Sequence, residues 1–519
     1  MAEHLSFEAD LWKSANKLRG SIESSQYKHI ALGLMFLKYI SDSFEERRKE
    51  LEKRMDDNKD PLYEQDKDER EEILDDPDRY GGVFYIPEKA RWTYLQKQVN
   101  NKDLPTLLDN AMEIVENSNK KLLNNVLPKV FVRSRIHYES LGELVNVFTK
   151  IGFGTTEGKA KDTLGRVYEY FLKMFAMTEG KRGGEFYTPD SIVKILVEIL
   201  EPYSGRIYDM ACGSGGMFVQ STKFIEAHKG KKEDISIYGQ ESIDTTWRLC
   251  KMNLFLRGIE GNIALGDTLL NDQHKSLKAN RIIANPPFNL SEWKNDSIDK
   301  DPRWKYGLVP NGNANFAWIQ HMIHHLDKDG LAGFVLANGS LSVGGDQGKI
   351  REEIINDDLV DCIIALPPQL FYTVPIPACL WFLAKNKKEH NGFKKDRRKK
   401  VLFIDARKIF TRVSKIQVEF SKDQTNQIAN TVRKFRGEIE GYKDIKGFCK
   451  IVSLEEINRK DNVLTPGRYV GLPEKEIDKE PFEKKIKRLS LELSKSFNET
   501  SNLQNTINNK LKKIKLNGK

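Results

Sequence analysis

Cysteine is sparse in this sequence and forms no motif. Cys212, Cys250, Cys362, Cys379 and Cys449 are scattered without a C-x-x-C pair, which argues against a zinc knuckle or a disulfide framework and fits reduced thiols in a cytosol. Long apolar runs are missing too, since no segment reaches the roughly 20 residues of a membrane-spanning helix. The opening stretch Met1-Ala2-Glu3-His4-Leu5 has neither the basic residues nor the apolar core of a secretion signal. A soluble, cytoplasmic chain with no membrane partner is therefore expected. Charge of one sign is not in large excess: 84 basic and 75 acidic residues leave a formal +9, which permits a nucleic-acid partner without demanding one. No internal repeat is evident, and no cluster of acids and lysines suggests a nuclease.

What is present is enough chain for more than one core. At 519 residues, 39% hydrophobic and 31% charged, the composition is that of a globular protein of two or three domains. Residues 1–157 read as a helical N-terminal domain, with apolar residues at helical spacing in Leu11, Ala15, Leu18 and Ile22, then Ile30, Leu34, Leu37 and Ile40. Residues 51–79 mix both charges densely and read as solvated helical surface. From 158 to 410, short β-rich runs such as 206–209, 235–238, 281–284, 333–337, 360–366, 378–384 and 401–405 alternate with helical patterns. That alternation predicts an α/β domain with a mostly parallel sheet flanked by helices.

A mixed segment, 411–475, follows. The polar tail, 476–519, carries Phe482, Ile486, Leu489 and Leu493, then Leu503, Ile507, Leu511 and Ile514, at three-four spacing with a break near 497–500. It predicts an amphipathic helix that packs on a partner or on the chain's own N-terminal domain. The basic residues Lys387, Lys388, Lys394, Lys395, Arg397, Arg398, Lys399 and Lys400 read as a solvated loop, with phosphate contact as the alternative. His321, His324 and His325 read as surface histidines, and no metal site is expected.

The run 206–218 couples a strand, an acid at its end (Asp209), a glycine-rich turn (Gly213, Ser214, Gly215, Gly216) and a helical pattern. This is a cofactor-binding arrangement, because glycines let the backbone approach a ligand without a Cβ in the way. The turn has neither the G-x-G-x-x-G spacing of a pyrophosphate site nor the G-K-S/T of a P-loop, which disfavours dinucleotides and ATP. The next strand ends in Glu241, placed to grip a ribose diol. A third leads to Asp267, which could accept from an adenine amino group. Each acid alone could equally cap a helix.

The run 281–288 places Asn285 directly after a buried strand, followed by Pro286, Pro287 and Phe288. Prolines stiffen the backbone and leave carbonyl acceptors with no competing N–H. The Asn285 side-chain oxygen and the Pro286 carbonyl could hold both hydrogens of an exocyclic amino group and aim its nitrogen at a sulfonium methyl. Phe288 could stack on the base, at about 1–3 kcal/mol, offsetting part of the cost of flipping it from a duplex. The bland reading is a proline-stiffened turn with Asn285 as a helix cap. Cys212 is read as a small buried filler, because no Pro-Cys dipeptide marks a C5-cytosine nucleophile.

With these motifs in place, the chain resembles the modification (methyltransferase) subunit of type I restriction-modification systems, in the N6-adenine DNA methyltransferase family. The resemblance runs through 11–12, 18–20, 184–189, 209–216, 238–241, 285–288, 313–316 and 466–469, with Met210 standing where the family usually has proline. It implies a Rossmann-like domain using S-adenosylmethionine. It also implies that Glu185, Phe186, Tyr187, Thr188, Pro189 and Asp190 close over the methionine end of that cofactor, that Ser214 to Gly216 line it, and that Glu241 holds its ribose. Double-stranded DNA, a separate specificity subunit, a second copy of the chain and a restriction (nuclease/translocase) subunit are the partners it implies. Two competitors stay open: methylation of protein glutamine or of RNA, and a non-catalytic nucleic-acid-binding scaffold.

Overall fold

The structure, a computed structural model, describes residues 2–20, 22–150, 157–179, 188–371, 377–390, 393–414, 417–472 and 482–516. It divides into two units, 1–471 and 472–519.

The first part of the larger unit is helical: α1 (Ala2–Leu18), α2 (Ser24–Asp56), α3 (Lys67–Leu74), α4 (Trp92–Lys97), α5 (Leu104–Ser118), α6 (Lys120–Leu123), α7 (Tyr138–Thr149) and α8 (Glu157–Glu179). The first half of α2 is largely apolar, and every residue from Tyr27 to Ser41 except His29 is buried. Its second half keeps Phe44, Leu51 and Met55 inside and gives its charges to water, as the mixed-charge composition predicts. Trp12 of α1 packs edge-on against Phe171 and Phe175 of α8, with ring centroids 5.2 and 4.7 Å apart. Gly33 admits Pro128 against α2, where a Cβ would clash with the ring.

The sheet follows, and its first half alternates with helices: α9 (Asp190–Leu200), β1 (Gly205–Asp209), α10 (Gly216–Ala227), β2 (Ile235–Glu241), α11 (Asp244–Phe255), β3 (Gly261–Leu265) and β4 (Ala279–Ala284). Then come α12 (Asn315–His325), β5 (Leu326–Ala337), α13 (Gly345–Asn356), β6 (Val360–Ala365), β7 (Ala378–Ala384), β8 (Lys400–Asp405), the two-residue strands β9 (Thr411–Arg412) and β10 (Val418–Glu419), α14 (Lys422–Arg436), β11 (Cys449–Ser453) and α15 (Leu454–Asn458).

Nine strands join in the order β11-β8-β6-β7-β5-β4-β1-β2-β3. The pairs β4–β1, β1–β2, β2–β3, β4–β5 and β6–β8 are parallel, whereas β7 runs antiparallel to both neighbours and β11 to β8. The sheet thus extends past residue 410, because β11 adds an outer edge to β8. Along each strand successive residues feed opposite faces: Ile207, Ile283 and Leu402 enter one apolar cluster, and Tyr208, Ile282 and Phe403 the other. Leu249 and Met252 of α11, with Leu256 just after it, belong instead to the core of the N-terminal helices, so α11 is the seam between bundle and sheet.

Two expectations are corrected here. His321 and His325 are fully buried rather than at the surface. His321 lies 3.0 Å from the Tyr208 hydroxyl and 3.0 Å from Arg303, and His325 bonds the Leu277 carbonyl (2.9 Å) and Asp272 (3.0 Å). Asp272, far away in sequence, supplies the carboxylate that the helical spacing lacked. All four ring nitrogens serve these bonds, and burial holds the His321 ring well below its usual pKa. The second correction concerns the basic run. Lys387 and Arg397 are buried; Lys387 donates to Asp358 and the Val360 carbonyl, and Arg397 pairs with buried Asp361 at 3.0 Å.

The smaller unit contains α16 (Phe482–Leu516), 35 residues in one helix, about 50 Å long. It runs straight through the break in the apolar stripe at 497–500, because helix continuity needs local propensity rather than an unbroken apolar face. Among the described residues no helix is long and apolar enough to cross a membrane.

Candidate active site

Ligands of open α/β sheets bind where strand order reverses, beyond the carboxyl ends of the strands. Here the chain winds outward one way through β1, β2 and β3 and the other way from β4 to β5, so the reversal lies between β1 and β4. Asp209 and Asn285 leave these two neighbouring strands at the same edge.

Asp209 is 1% exposed and accepts from the Ala211 N–H at 3.0 Å. Burial pushes its carboxyl up to about 8, outweighing that hydrogen bond, and the charge of Glu241 adds to the rise. The glycine turn is tied to the next strand, with Cys212 N–H donating to the Gln240 carbonyl (3.1 Å) and Gly213 N–H to Glu241 Oε2 (3.0 Å). Gly215 has φ +79°, and a Cβ there would sit 2.9 Å from Cys250 Sγ, so position 215 needs glycine twice over. Cys212 itself is a buried filler, its sulfur 3.9 Å from that of Cys250. Glu241 Oε1 accepts from the Ile243 N–H at 2.9 Å, which fixes the carboxylate at the mouth of α11. Asp267 caps its own turn, Oδ1 accepting from Leu269 (2.9 Å) and Leu270 (3.0 Å). That turn is braced by Arg303, which donates to the carbonyls of Thr268 (2.9 Å) and Leu269 (2.7 Å).

Asn285 follows β4 directly. Its Nδ2 donates to Thr188 Oγ1 at 2.9 Å, and its Oδ1 is buried with no hydrogen-bond partner. Pro286 is buried and Pro287 exposed. Phe288 is partly buried, its ring 6.1 Å from that of Phe371 and nearly perpendicular to it. Pro189 stands before α9, and its carbonyl accepts from Ile192 and Val193. Thr188 is thus placed on Asn285 as well as beside the glycine turn. Glu185, Phe186 and Tyr187 lie outside the described residues.

These groups surround two adjoining cavities. The larger, about 280 Å³, is walled by Gly213, Ser214, Glu241, Asp267, Asn285 and Pro287, and also by Lys28, Leu172, Ala176, Leu290 and Trp318. The smaller, about 70 Å³, is walled by Thr188, Asp190, Asp209, Cys212 to Ser214, Gly216 and again Asn285 and Leu172. Three carboxylates near one turn suit a ligand with cationic and hydroxyl groups. Sequence reasoning missed Lys28, Leu172, Ala176 and Trp318, which sit in no local motif. A signal existed for Lys28, the one lysine in the apolar stretch from Tyr27 to Leu37.

The sequence matches the N-6 DNA Methylase family over residues 159–478 and the HsdM N-terminal domain over residues 7–151. It is 42% identical to the type I restriction enzyme MjaIX methylase subunit of Methanocaldococcus jannaschii, over 96% of this chain and 90% of that one. The chain belongs to the type I restriction enzyme methylase subunits. A second methylase subunit, of the HindI enzyme from Haemophilus influenzae, is 44% identical over 82% of this chain and 99% of its own. The crystal structure of the type I restriction-modification system methyltransferase subunit from Streptococcus thermophilus superposes with a TM-score of 0.75 at 26% identity, covering 90% of this chain and 99% of that one. In this methylase subunit the second matched stretch takes in α8, the last helix of the bundle, as well as the sheet.

Proposed function

We propose that the chain transfers a methyl group from S-adenosylmethionine to the N6 amino group of adenine in double-stranded DNA, within a type I complex whose target sequence is chosen by a separate specificity subunit. The observation that carries this reading is Asn285 Oδ1, a buried acceptor with no partner beside a cavity lined by acids. A turn held rigid for structural reasons would satisfy that oxygen, because an orphaned buried acceptor costs about 1–3 kcal/mol.

The donor set fits the cofactor. Asp209 is placed for its ammonium, Glu241 for its ribose hydroxyls, and Asp267 Oδ2 for its adenine amino group. When bound, S-adenosylmethionine supplies an electrophilic sulfonium methyl. Thr188 fixes the amide of Asn285, so Oδ1 accepts one amino hydrogen while the Pro286 carbonyl accepts the other. Holding both pulls the nitrogen lone pair out of conjugation with the ring and makes it nucleophilic. Phe288 covers the face of the flipped base. Unit 472–519 is the part offered to the specificity subunit; a second copy of the chain and a restriction subunit complete the assembly.

Assembled with a specificity subunit, the purified chain is expected to move labelled methyl groups to adenine in duplex DNA. Label on protein or RNA, or cofactor binding without transfer, would overturn the reading. A pH dependence follows from Asp209. Its folded pKa near 8 lies above that of an unfolded carboxyl, so it destabilises the fold progressively as pH rises from about 4 to about 8. Ion pairing with a cationic ligand requires the ionised form. Affinity for S-adenosylhomocysteine is therefore expected to rise by up to about tenfold per pH unit toward 8 and then level off. Calorimetry across that range checks it, and Asp209→Asn should flatten the profile.

A further inference from the structure

Among the described residues that wall the larger cavity, two buried polar atoms lack a hydrogen-bond partner: the acceptor Asn285 Oδ1 and the donor Trp318 Nε1. Trp318 is 5% exposed, and an indole N–H shut away without an acceptor is costly. Five of the six other indoles show how readily this chain satisfies the group. Trp92, Trp247, Trp293, Trp304 and Trp381 all donate, to Thr149, the Ile263 carbonyl, the Pro310 carbonyl, the Ile298 carbonyl and Ser340.

Trp318 is also locked to the tetrapeptide. It lies one turn into α12, and the start of that helix is pinned to the loop that follows Phe288. Asn289 N–H donates to Asn315 Oδ1 (2.9 Å), Asn315 Nδ2 returns to Asn289 Oδ1 (2.9 Å), and Ala314 N–H donates to the Leu290 carbonyl (2.9 Å). The orphaned donor and the orphaned acceptor are thus held in one rigid frame beside one cavity.

We propose that Trp318 reads the target base: its indole N–H donates to the ring nitrogen beside the amino group, N1 or N7, while Asn285 Oδ1 accepts from that amino group. This rests on the adenine-methylation reading above. Adenine carries an amino donor flanked on both sides by ring acceptors, and a donor set beside an acceptor complements that edge. Guanine presents a carbonyl where adenine has the amino group, and thymine presents no amino group at all.

The test uses the complex with its specificity subunit and duplexes carrying adenine, 1-deazaadenine or 7-deazaadenine at the methylated position, which sequencing of the methylated product identifies. The parent should lose roughly tenfold in kcat/KM on one analogue, and that analogue names the nitrogen. Trp318→Phe should lose about as much on adenine and nothing further on the same analogue, with S-adenosylhomocysteine affinity unchanged. The proposal fails if the parent methylates both analogues as well as adenine, a result that needs no variant to fold. It fails too if Trp318→Phe keeps the full analogue penalty, or if its S-adenosylhomocysteine affinity falls in step, which would put the donor on the cofactor. A parent complex that leaves adenine unmethylated would instead bring down the reading on which the proposal rests.

Discussion

Asn285→Ala is expected to abolish methyl transfer, by at least about 10²–10³-fold in kcat, and to leave S-adenosylhomocysteine binding close to that of the parent. The separation follows from the geometry. Asn285 spends its amide hydrogens on Thr188 and keeps its oxygen unengaged, so the oxygen acts only when an amino group arrives. A donor-binding group that matters chiefly in the transition state shows in kcat rather than in KM. Asp209 and Glu241, the proposed cofactor contacts, stand on other strands and are untouched by the change. Retained transfer in Asn285→Ala, measured with labelled cofactor, would dismiss the proposed chemistry. Thr188→Val should fall between the parent and Asn285→Ala, since it frees the amide to rotate without removing it.

Asp361→Ala is expected to destabilise the fold by about 3–5 kcal/mol, the range found when one member of a buried ion cluster is removed. Asp361 is wholly buried on β6, with Arg397 at 3.0 Å and Arg436 at 3.2 Å, both buried as well. Burial alone would raise its carboxyl, but the charges of Arg397, Arg436 and Lys387 outweigh that and hold it at about 2. Removing the carboxylate strands Arg397 and Arg436 in the core, while Lys387 keeps Asp358. Because the folded pKa lies below that of an unfolded carboxyl, the stabilisation is complete above about pH 4 and is lost as pH falls toward 2. Urea titration of Asp361→Ala reads the first effect. Asp361→Asn should also lose the parent's steep acid limb between pH 4 and 2; a variant as stable as the parent at pH 7 would mean the cluster contributes nothing.

The sequence showed the parts of this molecule whose signal is local. A strand, a carboxylate and a glycine turn follow one another within the twelve residues 205–216, and a polar side chain and two prolines follow another strand, so β1, β4, Asp209 and Asn285 could be read directly. Groups whose partners come from afar were not legible. Thr188 lies 97 residues from Asn285, Tyr208 lies 113 from His321, and Asp361 lies 75 from Arg436. A histidine triplet at helical spacing or a run of lysines and arginines carries no mark of the buried carboxylate or hydroxyl that takes it inside. The helical bundle's share of the cavity was hidden for the same reason, because Lys28, Leu172 and Ala176 look from sequence like ordinary members of helical faces.

Because that cavity is walled on one side by α2 and α8 and on the other by strand ends, its genetics should not respect the boundary between bundle and sheet. Substitutions at Lys28, Leu172 or Ala176 would be selected alongside changes in the glycine turn, although more than a hundred codons separate Lys28 from it. Recombination between related genes that exchanged bundles at a junction between α8 and α9 would inherit half a binding site from each parent. The seam through α11 is therefore where hybrid enzymes should show their incompatibilities first, as weakened cofactor affinity in proteins that are otherwise well folded.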